Sequence, residues 1–337
     1  MLTDNLINQY LEAIEDELHQ AVLQSEGPHL RHYDYMMAYH LGWEGAGAGP
    51  EARGKRIRPL LVLLSNASAG GNWVNALPAA AAVELVHNFS LIHDDIQDNS
   101  PLRRGRETVW KKWGIPQAIN TGDAMLTLAH LWLLRLETTA SSAIALQAAK
   151  LLQNACLLLT QGQFLDLYYE SHASLPMDAY WHMVAGKTAA LLTACTEVGA
   201  LTAGADQGRC QAYHRFGYSL GLAFQAQDDI LGIWGNTSLT GKSAASDLLS
   251  GKKSLPIIYG LNQGGSFARR WAEGPIQSSE VETLAAQLEA EGALQFTRDS
   301  ATEMTRLAID ALAEANPSGE AGQALIDLAN QLLSRQI

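Results

Sequence analysis

Apolar residues recur at three- and four-residue intervals through almost the whole chain, and this helical periodicity limits what the chain can become. Residues 3–24 show the pattern first. A Gly-rich link follows from Gly42 to Pro50. Residues 51–69 predict a second helix, with Pro59 a local adjustment near its start. Gly70–Gly71–Asn72 breaks it. Residues 75–99, rich in Ala, Val, Leu and Ile, predict a long helix. It ends at Asn99–Ser100–Pro101, because a proline disfavours helical backbone in the residue before it. Further helices are expected over 117–136, 141–170, 177–202 and 205–234. The stretch 235–253, rich in Gly, Ser and Thr, reads as a long loop. Shorter helices then cover 254–261, 265–273, 277–289, 291–314 and 319–335. No strand-like alternation and no repeat of fixed period competes with this pattern. The expectation is an all-α chain, read as one large single domain over 1–337.

A length of 337 residues with 47% hydrophobic residues suffices for a large core. The formal net charge of −12 argues against nucleic acid as a partner, because general affinity for nucleic acid comes from neutralising phosphates. The scarce cations are clustered instead. Arg53, Lys55, Arg56 and Arg58 form one group, and Arg103, Arg104, Arg106, Lys111 and Lys112 another. Such runs in an acidic chain read either as a local anion site or as solvated helix ends. Cys156, Cys195 and Cys210 match no metal spacing and sit in apolar helical stretches, so they read as small core residues. A reducing, cytoplasmic setting fits them. The N-terminus is acidic and mixed, unlike a signal peptide. No integral membrane segment is expected, since the most apolar stretch, 151–159, is interrupted by Gln153 and Asn154.

Two acidic segments carry the chemistry. In VELVHNFSLIHDDIQDNSPLRRG (83–105), Asp94 and Asp98 are one helical turn apart on one face, with Asp95 alongside. His87 and Ser90 lie on the same stripe. Like charges at this spacing destabilise a bare helix, and the C-terminal end is the wrong end for anions. Magnesium with phosphate ligands relieves both penalties, because it prefers hard oxygen donors. Arg103 and Arg104 follow at once, and guanidinium groups beside carboxylates suit a metal-bound diphosphate. The segment FQAQDDILGIWG (224–235) repeats the idea with Asp228 and Asp229, and Gln225 shares the Asp228 side. Lys187–Thr188 sits inside an apolar helix, where a lone lysine is either functional or snorkelling. Two acidic helix ends suggest two walls of a central cavity for a substrate anionic at one end and apolar at the other.

These motifs resemble those of the trans-type prenyl diphosphate synthases, the farnesyl and geranylgeranyl diphosphate synthases, over a core of about residues 50–260. The Asp-Asp-x-x-Asp motif with its following Arg-Arg-Gly is complete as Asp94, Asp95, Asp98, Arg103, Arg104 and Gly105. Gly54, Lys55, Arg58 and Pro59 match Gly-Lys-x-x-Arg-Pro. Gly162, Gln163 and Asp166 match Gly-Gln-x-x-Asp, and Lys187–Thr188 the Lys-Thr pair. The resemblance implies an isoprenoid-synthase fold and a head-to-tail condensation of allylic diphosphates with isopentenyl diphosphate. It implies three Mg2+ ions, with Asp94, Asp98 and Asp228 as ligands and Asp95 and Asp229 supporting the metal shell. Arg103, Lys187 and Lys242 would hold the allylic diphosphate. Lys55, Arg58, His87 and Arg104 would hold isopentenyl diphosphate. Thr188 and Gln225 would line the reacting centre. A homodimer is expected by analogy.

Two positions depart from the pattern. Gly232 stands where the second motif has its third aspartate, removing one supporting carboxylate, and Trp110 stands where many relatives have His. For product length the resemblance points to Phe89 and Ser90, five and four residues before Asp94. A single aromatic at the fifth position resembles the geranylgeranyl pattern, so a C20 product is expected. Phe89 also reads as a plain core residue, since it points about 140° from Asp94 on a helix. The competing readings are a terpene cyclase on the same helices, which would not need a separate isopentenyl site, a noncatalytic partner subunit, and a plain helical scaffold.

Overall fold

The computed structural model describes residues 2–24, 27, 30–235 and 246–333. Helices dominate, and among the described residues the one sheet is a pair of two-residue strands. The all-α expectation holds. The chain groups into two compact units.

The first unit comprises Met1–Gln153, Cys195–Cys210 and Pro317–Leu325. Its centre is the helix Leu77–Gln97, which packs against Leu2–Val22, Ile57–Ser68 and Ile115–Leu133. Small residues make this possible. Ala79 to Ala82 are fully buried, so neighbouring helices approach closely, while Leu61 to Leu64 fill the space beside them. Tyr10 packs against Trp73, ring centroids 4.6 Å apart and planes tilted by 41°, and ties the first helix down.

The expected 51–69 helix is two pieces, Pro50–Arg53 and Ile57–Ser68. The break has a cause. Gly54 and Arg56 both have positive φ, 78° and 49°, which ends one helix and starts the next. Arg56 then turns inward. Its Nε donates to Glu15 Oε1 at 2.6 Å, its Nη1 to Glu84 Oε1 at 2.9 Å and its Nη2 to the Leu41 carbonyl at 3.2 Å. Arg56 is only 4% exposed, so it leaves the cationic group seen in sequence and becomes part of the core. Removing one partner of such a buried pair costs about 3–5 kcal/mol.

A helix and a hairpin are among the elements of this unit that were not expected. The helix Arg31–His40 buries Met36, Met37, Ala38 and Tyr39, but its aromatic and His-rich sequence hides the periodicity. The strands Leu102–Arg103 and Arg106–Glu107 pair antiparallel. Arg104 and Gly105 form the two-residue turn between them, both with positive φ (51° and 74°), as a type I′ hairpin requires. This gives the Arg-Arg-Gly sequence a backbone reason.

The second unit comprises Asn154–Ala194, Gln211–Asn316 and Ile326–Ile337. One core cluster joins Tyr180, Met183, Val184, Leu222, Leu255 and Ile258. Another joins Ile233, Leu248, Ile257, Phe267, Leu284 and Leu288. The expected 177–202 helix carries a π-helical turn at Ala185–Ala189, between Met177–Val184 and Ala190–Thr202. The stretch read as a loop over 235–253 needs correcting, since Ser246–Ser250 is a short helix anchored by fully buried Leu248. Its many Ser and Gly residues masked that single apolar anchor. Asn316, with φ of 50°, ends Ala293–Ala315, and Pro317 prevents its continuation.

One helix bears on the membrane expectation. The helix Ser142–Glu170 is long and apolar enough to cross a membrane by length and composition, with an 18-residue window of mean hydropathy 1.3. Gln153 and Asn154 break the apolar run within it while the helix itself continues, as expected over 141–170. Only 33% of that window is buried.

Candidate active site

In the first unit the acidic segment ends the central helix. Asp94 is half-buried, Asp95 is buried and Asp98 is exposed at the C-cap. The middle carboxylate is therefore not equivalent to its neighbours. Arg103 returns along the hairpin strand and takes it, Nη2 to Oδ1 at 2.8 Å and Nε to both oxygens at 3.0 Å. Burial pushes the Asp95 carboxyl up, and the Arg103 guanidinium opposes this. Trp110 holds the same return loop, its indole N–H donating to the Ser100 carbonyl at 2.9 Å. A histidine at this position would have to reach the same carbonyl with a smaller ring.

The cations expected for isopentenyl diphosphate lie on neighbouring elements of this unit. Arg58 Nη1 is 3.1 Å from His87 Nε2. Burial, then the charges of Arg58, Arg104 and Arg103, pushes the His87 imidazole well below its ordinary value. It is therefore neutral near pH 7, and its Nε2 can accept a hydrogen bond from Arg58. Arg104 Nη1 donates to the Ala52 carbonyl at 2.8 Å. Its guanidinium lies over Gly54, where an added Cβ would meet Nη2 at 2.6 Å. Gly54 is thus required twice, for its backbone angle and for the arginine above it. Lys55, next in sequence, is exposed.

Upstream on the central helix, Phe89 is 5% exposed and meets His93 edge-on, centroids 5.5 Å apart. His93 fits against Ile115–Leu133 because Gly122 lacks a side chain, and a Cβ there would fall 2.3 Å from His93 Nε2. Ser90 is buried, its hydroxyl donating to the His87 carbonyl at 2.8 Å.

In the second unit, glycines again set the geometry. A Cβ on Gly162 would meet the Lys187 nitrogen at 2.1 Å, and one on Gly186 would meet the Leu158 carbonyl at 2.6 Å. The two helices can cross this closely only with glycine at both points. The crossing lets Lys187 Nζ form an ion pair with Asp166. The π turn carries Lys187 and Thr188, a distortion often found where function demands a particular side-chain direction. Gly221 permits a third approach, against Ala189, one turn before Gln225.

A connected network follows. Thr188 Oγ1 donates to Gln225 Oε1 at 2.8 Å, and Gln225 Nε2 donates to Asp229 Oδ1 at 2.8 Å. Asp229 Oδ2 accepts from the Tyr180 hydroxyl and from the Leu255 backbone N–H, each at 2.7 Å. Asp229 is 1% exposed, whereas Asp228 is half-buried. Burial and the Asp229 charge push the Tyr180 hydroxyl well above its ordinary value, so it stays a donor. The two acidic segments thus share a design. In each, the second carboxylate is consumed inside the protein and holds other groups in place.

Sequence reasoning missed Tyr180 and gave Lys252 no role. Lys252 lines the same concavity as Asp166, Thr188, Gln225 and Asp229. Burial pulls its ammonium down, but Asp229, Asp247, Asp166 and Asp228 outweigh this and hold it above its ordinary value. Adjacent Lys253 lines the concavity too, with its ammonium donating to the Glu170 carbonyl at 3.1 Å, at a helix C-terminus where a cation is favoured. The doubled lysine was the available signal, but sequence could not tell which of the two ammonium groups the Glu170 carbonyl engages. Lys242 lies outside the described residues.

Among the described residues, no group of three His, Cys, Asp or Glu side chains is gathered as a metal cage. Magnesium fits such a donor set through one or two carboxylates together with substrate phosphates and water. Half-buried Asp94 and Asp228 and exposed Asp98 are hard oxygen donors of that kind.

Comparison with known proteins agrees with this chemistry. The polyprenyl synthetase family model matches residues 48–287. The chain is 38% identical over 345 aligned positions to a (2E,6E)-farnesyl diphosphate synthase of Mycobacterium tuberculosis, covering 99% of this chain and 92% of that one. It is 41% identical over 288 positions to a geranylgeranyl diphosphate synthase of the same organism, covering 83% and 81%. A crystal structure of a polyprenyl synthetase from Streptomyces coelicolor A3(2) superimposes with a TM-score of 0.88 at 36% identity, covering 98% of this chain and 99% of that one. The chain belongs to the polyprenyl synthetase family, and is a prenyl diphosphate synthase of the Mg2+-dependent, isoprenyl diphosphate-using kind.

Proposed function

We propose that this synthase condenses allylic diphosphates with isopentenyl diphosphate and releases geranylgeranyl diphosphate, a C20 product. The observation that carries the length is the pairing of a buried aromatic, Phe89, with a small neighbour, Ser90, upstream of Asp94 on one helix. The relatives include both farnesyl and geranylgeranyl diphosphate synthases, so family membership alone leaves C15 and C20 open. Incubation with Mg2+, isopentenyl diphosphate and each short allylic diphosphate, with products sized by mass spectrometry, tests the reading. A product set ending at C15 overturns it.

Residue roles follow the chemistry. Asp94, Asp98 and Asp228 are the ligands for three Mg2+ ions, whose chemistry is to neutralise the departing diphosphate. Asp95 and Asp229 support that shell indirectly, by orienting Arg103 and Gln225. Arg103, Lys187 and Lys242 bind the allylic diphosphate. Lys55, Arg58, His87 and Arg104 bind the second diphosphate, with neutral His87 orienting Arg58. Thr188 and Gln225, fixed to each other, border the reacting carbons. The lost proton goes to the released diphosphate, so no protein carboxylate acts as base. Residues 1–337 work as one catalytic domain.

The active form is a homodimer. Leu146, Leu157, Phe164 and Tyr168 follow one another at helical intervals along Ser142–Glu170 and are 52–64% exposed. A second copy covering this stripe would bury it. Light scattering of the native chain and of Phe164→Glu tests this, with a monomeric native chain as the contrary result.

A further inference from the structure

Arg106 belongs to the second cationic run of the sequence, yet neither diphosphate site gives it a part. Its guanidinium is engaged by backbone instead. Nε donates to the Ala46 carbonyl at 3.1 Å, Nη1 to the Tyr39 carbonyl at 2.8 Å and Nη2 to the Glu44 carbonyl at 2.5 Å. The same group lies over the Tyr39 ring, 4.0 Å from its centroid. A rigid planar fork that reaches three carbonyls fixes the path of the backbone carrying them. That backbone is the turn from Tyr39 to Gly49, which closes on itself where the Gly49 N–H donates to the Gly42 carbonyl at 3.0 Å. Glycine lets it lie so close. A Cβ on Gly45 would fall 2.8 Å from Tyr39 Cδ2, and one on Gly47 3.4 Å from Arg106 Cγ, and both residues have positive φ.

The other half of the contact is the hairpin. Arg106 follows the Arg104–Gly105 turn directly and pairs with Arg103 across the two strands. The Tyr39 hydroxyl donates to the carbonyl of Glu107, the next residue, at 3.0 Å. The two ties run in opposite senses. A hairpin side chain holds the backbone of the 39–49 turn, and a side chain from that turn holds the hairpin backbone. Arg104 adds a third tie, to the Ala52 carbonyl. Together they frame a concavity lined by Tyr39, His40, Ala52, Arg103, Arg104 and Arg106, among others.

This frame joins two segments distant in sequence. The 39–49 turn runs into Pro50–Arg53 and so to Lys55 and Arg58, while the hairpin carries Arg104. We infer that Arg106 is a positioning residue for isopentenyl diphosphate, setting the separation between the Lys55–Arg58 segment and Arg104. The inference rests on the proposed assignment of Lys55, Arg58 and Arg104 to that diphosphate. Two consequences distinguish it from a general structural role. The effect is selective, because Arg103 of the allylic site has its own anchor in Asp95. The effect also depends on the fork and not on the charge, because the guanidinium acts on carbonyls.

The test is steady-state kinetics with Mg2+, varying isopentenyl diphosphate and geranyl diphosphate in turn, with melting temperature recorded alongside. The variants are Arg106→Gln, Arg106→Lys, Tyr39→Phe and Arg58→Ala. Arg106→Gln is expected to raise KM for isopentenyl diphosphate about 10-fold, with KM for geranyl diphosphate and kcat changing by less than about twofold. Arg106→Lys keeps the charge and loses the fork, and is expected to raise the same KM as much. Tyr39→Phe keeps the ring beneath the guanidinium and loses only the Glu107 tie, so a rise of about threefold is expected. Native KM for isopentenyl diphosphate in Arg106→Gln overturns the inference. Full recovery in Arg106→Lys overturns it too, since the charge would then be what matters. Equal rises in both KM values overturn it as well, since the effect would then be a general loosening. If neither Arg106 variant folds, Tyr39→Phe decides, and a native KM there is the contrary result. If Arg58→Ala leaves KM for isopentenyl diphosphate native, the site assignment fails. If Arg58→Ala raises it and Arg106→Gln does not, only the present inference fails.

Discussion

Arg103 reaches back eight residues to Asp95 and donates to it three times, from Nη2 at 2.8 Å and from Nε at 3.0 Å to each oxygen. The middle aspartate of the first motif is thereby set apart from the two beside it. Asp229 is set apart in the same way by Tyr180, Leu255 and Gln225. Adjacent carboxylates should therefore fail differently when removed. Asp94→Ala or Asp228→Ala is expected to lower turnover by several orders of magnitude at low Mg2+ while the melting temperature stays near native. Asp229→Ala should lower both, because it leaves a buried hydroxyl and a buried N–H unpaired, at about 1–3 kcal/mol each. Turnover and thermal melts on the three variants check this. Near-native turnover for Asp94→Ala would sink the metal assignment.

The two anion sites should separate kinetically. Arg58→Ala or His87→Ala is expected to raise KM for isopentenyl diphosphate by roughly 10- to 100-fold, the cost of one charge-assisted hydrogen bond. Arg103→Ala or Lys242→Ala should act mainly on the allylic substrate. Varying each substrate in turn decides between them, and the reverse pattern would mean the two sites are exchanged.

Acid should destabilise the first unit through its histidines. Burial, then the charges of Arg103, Arg104, Arg56 and Arg106, pushes His40 well below its ordinary 6.5, and His87 is lowered for similar reasons. Their folded values lie below their unfolded ones, so the unfolded chain binds more protons in between. The stability tied to neutral imidazoles is complete above 6.5 and is lost as pH falls from there toward the folded values. Melting temperatures compared between about pH 7.5 and pH 5 should fall less in the double variant His40→Gln with His87→Gln than in the native chain. Equal falls would show that other groups control acid stability.

Chain length offers the sharpest substitution. Burying hydrocarbon is favourable by about 0.8 kcal/mol per CH2, so elongation should continue until a side chain blocks it. Phe89→Ala is expected to shift products beyond C20, and Ser90→Phe to shorten them toward C15. The readout is the length distribution of dephosphorylated products. An unchanged distribution in Phe89→Ala would leave Phe89 as a core residue packed on His93.

Helix periodicity determined the all-α class and nearly every long helix, because burial of one apolar stripe is a local property of the chain. The spacing of Asp94, Asp98, Arg103 and Arg104 marked the family for the same reason. Local sequence could not say which carboxylate of each pair faces inward. That depended on Arg103 returning through a hairpin whose turn sits at Arg104–Gly105, and on Tyr180, 49 residues before Asp229, arriving beside it. Nor could it show that Arg56 belongs to a buried ion pair, since Glu15 and Glu84 are distant in sequence. Gly232 illustrates the limit most plainly. In sequence it is a missing aspartate, and only tertiary packing put the Asp247 carboxylate against it, because the space beside a backbone atom is filled by whatever the fold brings there.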